Sequence, residues 1–302
     1  MSLKNCTSSF NAAAVDGSKI HYLLADRSQN NLNLFVDKKN GSDSSNGESF
    51  NTPLLTIAAA VTKANAKISW SGSPWGPRCN IWIAPGLYAE NLTALPYGCN
   101  LIGLGDAYDV NGERGVTVKP AAGSPVDCTS IINSRIENIC FQSPDTSAVF
   151  QADNFNRNVV KGCMFLGLPG ASPSTTRGLE VVKDCTGNWI SRCTFLQIRN
   201  AVYIVTDNAN SKQISGTIFE NLFIGGADQT GMYFHANCTP SMVWINDCQI
   251  GDGSTTLALG LDDDTGAVTV SNTNFVATAC DPASGDADSK YNNCYLNGAL
   301  LT

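Results

Sequence analysis

The residues best suited to chemistry in this chain are carboxylates that recur in the polar segments between apolar runs. They are Asp153, Asp184, Asp207 and the run Asp262, Asp263 and Asp264. Carboxylates held side by side repel, raise one another's pKa or attract a hard cation such as calcium. Two carboxyls about 5 Å apart are also the arrangement of a retaining glycosidase. On this reading Asp184, Asp207, Asp262 and Asp263 are the candidate catalytic groups, Arg177 is the accompanying cation, and calcium (Ca) is the one cofactor the acidic corner would take. The plainer reading is that Asp and Asn are what tight turns require, ligand or no ligand.

Candidate binding residues are Trp70 and Trp75, in an aromatic loop over residues 69–77, together with Arg177 and Asp228. A tryptophan in a surface loop buries much apolar area on a partner, although the same loop could plug the end of a core. The two histidines, His21 and His235, stand apart and form no base–acid pair by sequence. Twelve cysteines include no Cys-x-x-Cys pair, so a zinc site has no support. Cys163, Cys193 and Cys248 each precede a repeated apolar residue by two positions, and Cys99, Cys128 and Cys140 fall in similar runs. They read as a ladder of buried reduced thiols. Cys280 and Cys294 are the pair best placed for a disulfide.

What must position these groups is a repeat. Six segments end alike, at Phe141, Phe165, Phe195, Phe219, Ile250 and Phe275, in steps of 24, 30, 24, 31 and 25 residues. A weaker series, Phe150, Val181, Ile204, Phe234 and Leu259, lies between them. Two interleaved apolar markers at this spacing predict a solenoid. Around the markers the residues are β-branched, aromatic and Thr-rich with loose alternation, so the repeating elements are strands. The Asn, Asp and Gly between them tolerate left-handed backbone. Short strands joined by such turns describe a parallel β-helix. Longer spacers within residues 166–178 and 220–231 place two insertions at one corner, as a ledge for a ligand or for a neighbouring subunit.

The expected organisation is an N-terminal arm (1–32), an all-β right-handed parallel β-helix (33–278) and a C-terminal tail or cap (279–302). Thr52 as N-cap and Pro53 as first helical residue predict a capping helix over about 53–65, with Leu54, Ile57, Ala58, Val61 and Ala64 at helical spacing. Such a helix covers strand edges that would otherwise pair with other chains.

Here the residues resemble a known family. Phe35-Val-Asp37, Asn40-Gly-Ser-Asp43, Gly47, Pro53-Leu-Leu-Thr-Ile57 and Ala64, followed by Ile81-Trp-Ile-Ala-Pro-Gly86, Tyr88 and Glu90-Asn-Leu92, look like the opening of the pectate-lyase-like right-handed parallel β-helix superfamily. The resemblance implies a first strand, a cap and a first coil over residues 33–92. For function it implies several classes: polysaccharide lyases, glycoside hydrolases, and non-catalytic virion proteins such as phage tailspikes. The Asp-Asp, Gly-His-Gly and Arg-Ile-Lys elements of the polygalacturonase-like branch are matched only by Asp262-Asp263.

Net charge of −7 and the absence of a basic stripe exclude nucleic acid as the expected partner. No apolar run reaches membrane-spanning length. Residues 1–32 lack the apolar centre of a signal peptide. With an arm at each end of a rod, this favours a phage virion structural protein, a capsid decoration or tail spike. Such a protein would be a homotrimer by family analogy, would contact other virion proteins and would grip host polysaccharide. The competing expectation is a polysaccharide lyase or glycoside hydrolase.

Overall fold

The computed structural model describes residues 32–68, 78–168, 176–205, 212–225, 230–235, 238–252, 257–263, 268–282 and 290–301. They form a parallel β-solenoid with one short helix, as the repeat predicts. Each coil contributes strands to three faces. The first face begins with Leu32–Val36, Cys79–Ile83 and Cys99–Gly103 and runs to Lys290–Asn292. The second runs from Gly86–Tyr88 to Cys294–Leu296. The third runs from Val126–Ile132 to Ala277–Pro282. The long strands Lys212–Glu220 and Cys238–Asn246 pass from third face to first, turning at Gly216 and Met242 in left-handed backbone.

Parallel pairing stacks like positions into rows, with a register shift only between Leu257–Asp263 and Ala277–Pro282 among the described pairs. Inside the first face the row is Leu34, Ile81, Leu101, Ile136, Val160, Ile190, Phe219, Ile245 and Val270. Inside the second it is Tyr88, Val118, Phe141, Phe165, Phe195, Ile224, Ile250 and Phe275. Phe165 and Phe195 stack at 4.6 Å, nearly coplanar at 7°. All of these side chains are buried.

One position of the expected repeat therefore changes face. Phe219 belongs to the first face, and its coil's second-face residue is Ile224. Both are buried and apolar and flank the same corner, so the pattern alone does not separate them. Consequently the chain has already passed the corner and the strand Phe223–Gly225 before residue 226, and the second insertion does not span 220–231.

The corner between first and second faces is a single residue in left-handed backbone, coil after coil: Asn138, Gly162, Arg192, Asn221, Asp247, Asn272 and Asn293, at φ between 48° and 62°. All but Asn293, in the last coil, donate their N–H to the next coil, as Asn221 does to the Asn246 carbonyl at 3.0 Å. Asn accepts this conformation at little cost because its short side chain bonds locally. At the opposite corner a buried ladder replaces it. Asn158 Nδ2 donates to the Ile131 carbonyl (2.8 Å), Asn188 Nδ2 to that of Phe155 (2.7 Å), and the Asn158 N–H to Asn188 Oδ1 (3.0 Å).

The cap is the helix Ile57–Lys67, which starts four residues later than Thr52-Pro53 predicts. Leu54 bridges to Val36 and extends the first coil instead. The true N-cap is Thr56, whose hydroxyl accepts from the Ala59 N–H. Asp43 takes the N–H groups of Leu55 and Thr56, and Glu90 those of Ile57 and Ala58. These carboxylates satisfy the donors a helix start leaves unpaired. At the other end the coil continues through Leu296, so residues 279–302 include its last turn rather than only a tail. Asn297 and Gly298 (φ 49° and 80°) then form a two-residue turn into Ala299–Leu301, which pairs antiparallel to Cys294–Leu296.

The cysteines whose side chains are described are all free, Cys280 and Cys294 included, so the expected disulfide is not formed. Cys163, Cys193 and Cys248 occupy one corner row that Leu222 and Thr273 interrupt. Cys140 points outward but is buried beneath Val110, Met164 and Leu166. Burial pushes the thiols of Cys140 and Cys248 up to about 12 and that of Cys128 up to about 11.

Two predictions follow from this packing. Asn221→Val should lower unfolding free energy by about 1–2 kcal/mol in denaturant titration, while Asn221→Gly stays close to the native value. Cys128, Cys140 and Cys248 should stay unlabelled by a thiol reagent at pH 7.5, judged by peptide mass, until the protein is unfolded.

Candidate functional site: the outer row of the third face

The third face has two inward rows. One is Phe150, Leu179, Val202, Met232 and Leu261; the other is Ala152, Val181, Ile204, Phe234 and Asp263. Strand alternation then forces the position between them outward in every coil. The resulting outer row is Asp127, Gln151, Glu180, Tyr203, Tyr233 and Asp262.

Arg177 organises the middle of the row. It opens the strand Arg177–Val181 at the exit of the first inserted loop, and its Nη1 forms an ion pair with Glu180 Oε1. Its guanidinium carbon also lies 3.9 Å from the centre of the Tyr203 ring, a cation–π contact. Tyr203 stacks on Tyr233, with ring centres 5.0 Å apart and planes at 21°. The His235 ring meets Tyr233 edge-on at 6.0 Å. Beside Arg177 in register is Asn200, whose buried Oδ1 has no hydrogen-bond partner among the described residues.

Glu180 is only 8% exposed. Burial raises its carboxyl above the usual glutamate range, the neighbouring Arg177 cation pulls the other way, and Asp127 adds to the rise. A carboxyl raised in this way by burial moves toward the range a general acid needs, and the adjoining cation opposes the move.

Of the residues expected from sequence, Arg177 and Asp262 fall on this row or beside it. Asp262 neighbours Tyr233 and lies three coils from Glu180. Asp263 faces the core at 0% exposure, where Oδ2 accepts the Val268 N–H at 3.4 Å. Both stand at the end of the strand Leu257–Asp263 rather than in a turn. Asp184 sits in a turn and offers its carbonyl to the Phe155 N–H. Asp153 pairs with Lys183 at 2.8 Å. The acidic residues therefore do not line one corner. Asp262 is in register with Gln151, two positions before Asp153 on its strand. Among the described residues no three His, Cys, Asp or Glu side chains gather as metal ligands. Asp207, Asp228, Trp70 and Trp75 lie outside the described residues.

Sequence reasoning missed Asp127, Glu180, Tyr203 and Tyr233. A signal was present: the residue before each of Val181, Ile204 and Phe234 is Glu180, Tyr203 or Tyr233. It was masked because Phe150 and Leu259 stand two and four positions out of that register.

No protein-family model and no curated protein matches the chain. Solved structures do match in fold. One is the pectin methylesterase PemA from Erwinia chrysanthemi, with TM-score 0.54, 14% identity, and coverage of 89% of this chain and 90% of that one. Another is the deglycosylated pectin methylesterase from Aspergillus niger, with TM-score 0.51, 15% identity, and coverage of 89% and 87%. At such identity the likeness is one of fold, a parallel β-helix.

The two opposing influences on Glu180 can be separated by carboxyl-detected NMR titration. Its midpoint should lie above those of the exposed glutamates. Arg177→Gln should move it higher still, because the cation is lost while burial remains.

Proposed function

We propose that the protein is a polysaccharide-active β-helix protein that lays a glycan along the outer row of its third face. The observation that carries this reading is the Arg177, Glu180, Tyr203 and Tyr233 cluster, in which a buried carboxyl adjoins a stacked aromatic pair. Phenol, guanidinium, carboxyl and amide groups in one line suit the hydroxyls of successive sugars. The fold neighbours are themselves named for action on pectin.

The carboxylate pair best spaced for bond cleavage is Glu180 and Asp127, two coils apart across Gln151. Coils stack at about 4.8 Å, so their backbone positions are roughly 10 Å apart. That is close to the ~6.5–9.5 Å between the carboxyls of inverting glycosidases, within reach of side-chain adjustment. Glu180 would donate its proton to the glycosidic oxygen as the C–O bond breaks. A water would attack the anomeric carbon from the other side and pass its proton to Asp127. Hydrolysis suits this row better than elimination, since its central cation is already tied to Glu180.

A protein carried on a virion could use the same face to hold host glycan without cutting it. A glycan array followed by assay of new reducing ends separates the cases. Under the hydrolytic reading Glu180→Gln and Asp127→Asn should lower cleavage by roughly 100-fold or more while binding persists. Tyr203→Ala should weaken binding itself. Binding with no cleavage would leave the gripping role and call for the native mass of the assembly, a trimer or particle-bound array being the virion outcome. No glycan bound, or binding indifferent to Tyr203→Ala, would overturn the reading.

A further inference from the structure

The first face carries a different kind of site on its outer side. A cavity of about 440 Å³ opens there, with Arg78, Arg135 and Arg157 in its wall. Three arginines lining one cavity in a chain of net charge −7 is not a consequence of composition. Arg135 is paired with Glu137 at 2.7 Å. Arg78 and Arg157 have no carboxylate partner among the described residues.

The floor of the cavity is a buried amide ladder. Asn80 Nδ2 donates to Asn33 Oδ1 at 3.1 Å, and Asn100 Nδ2 donates to Asn80 Oδ1 at 2.7 Å. The Arg135 N–H donates to Asn100 Oδ1 at 2.9 Å. The side-chain oxygens of Asn80 and Asn100 are thus engaged, while each amide has a second N–H to give. With the guanidiniums, this makes a surface dominated by donors, and its complement is an anion rich in acceptor oxygens.

Size and surroundings narrow the ligand. The volume falls in the range of small-molecule pockets and far exceeds one oxyanion. Trp82 and Ile102 add apolar wall against which a sugar ring could rest. Val159, at the rim, is the register neighbour of Trp189, which is 44% exposed. The Trp189 indole N–H is held by Glu220 Oε2 at 3.0 Å. Two coils further along the same row stands Trp244.

We infer that this cavity binds an acidic sugar unit through its carboxylate, with the rest of the chain leaving over Trp189. The inference is independent of the third-face reading, because the two sites share no residue. It is tested by calorimetry of the full chain with a uronate hexasaccharide, a neutral hexasaccharide and inorganic sulfate. The uronate should bind, more weakly as salt rises, and the neutral chain should not. Arg78→Gln and Arg157→Asn should each cost tenfold or more in affinity. Asn is chosen because residue 157 has φ 58°. Trp189→Ala should cost several-fold. Equal binding of the neutral chain, sulfate binding without uronate binding, or affinity unchanged in both arginine variants that melt like the native protein would each overturn it.

Discussion

Every feature of this protein depends on parallel register. Each strand lies beside its equivalent one coil away, so a residue's neighbour is the same position of the repeat. Phe165 lies on Phe195, Tyr203 on Tyr233 and Asn80 on Asn100. A slip of one residue would turn each buried row outward. Register is held at the corners, where a single left-handed residue completes the turn and hands its N–H to the next coil. The buried Asn158 and Asn188 ladder does the same at another corner, since leaving its donors unpaired would cost about 1–3 kcal/mol per group.

That constraint also produces the outer faces. A solenoid cannot bury a row on one side of a strand without presenting its neighbours on the other. On the third face the presented row is a carboxyl, two phenols and a clamping arginine. On the first face it is a ladder of amides leading to guanidiniums and then to tryptophans. The two surfaces differ in electrostatic character. The third is rich in carboxylates, with its central arginine neutralised by Glu180; the first offers donors and unpaired positive charge. One fold thereby carries two outer faces of opposite electrostatic character, each built from residues far apart in sequence.

The ends show how the same physics closes a solenoid. At the start, Asp43 and Glu90 take the free N–H groups of the capping helix, which explains why those two acidic residues belong to the opening pattern without belonging to a site. At the far end a tight Asn297-Gly298 turn folds a last strand back antiparallel onto Cys294–Leu296 of the second face. Both devices hide backbone groups that would otherwise recruit another chain.

The sequence by itself determined that the chain is a parallel β-solenoid with a helical cap, because burial demands apolar residues at a fixed period and the corners demand Asn or Gly. Arg177 was legible too, as a cation at the end of an inserted loop. What sequence could not decide was which of two buried apolar residues near a corner belongs to which face, as with Phe219 and Ile224. From that followed the second loop's extent. The carboxylates were equally undecided: Asp262 faces outward and Asp263 the core, although they are adjacent and identical in type. Only tertiary structure fixes this, because side-chain direction is set by pairing with strands a whole coil away. Glu180, Tyr203 and Tyr233 become one site for the same reason, through a contact that exists only when the coils stack.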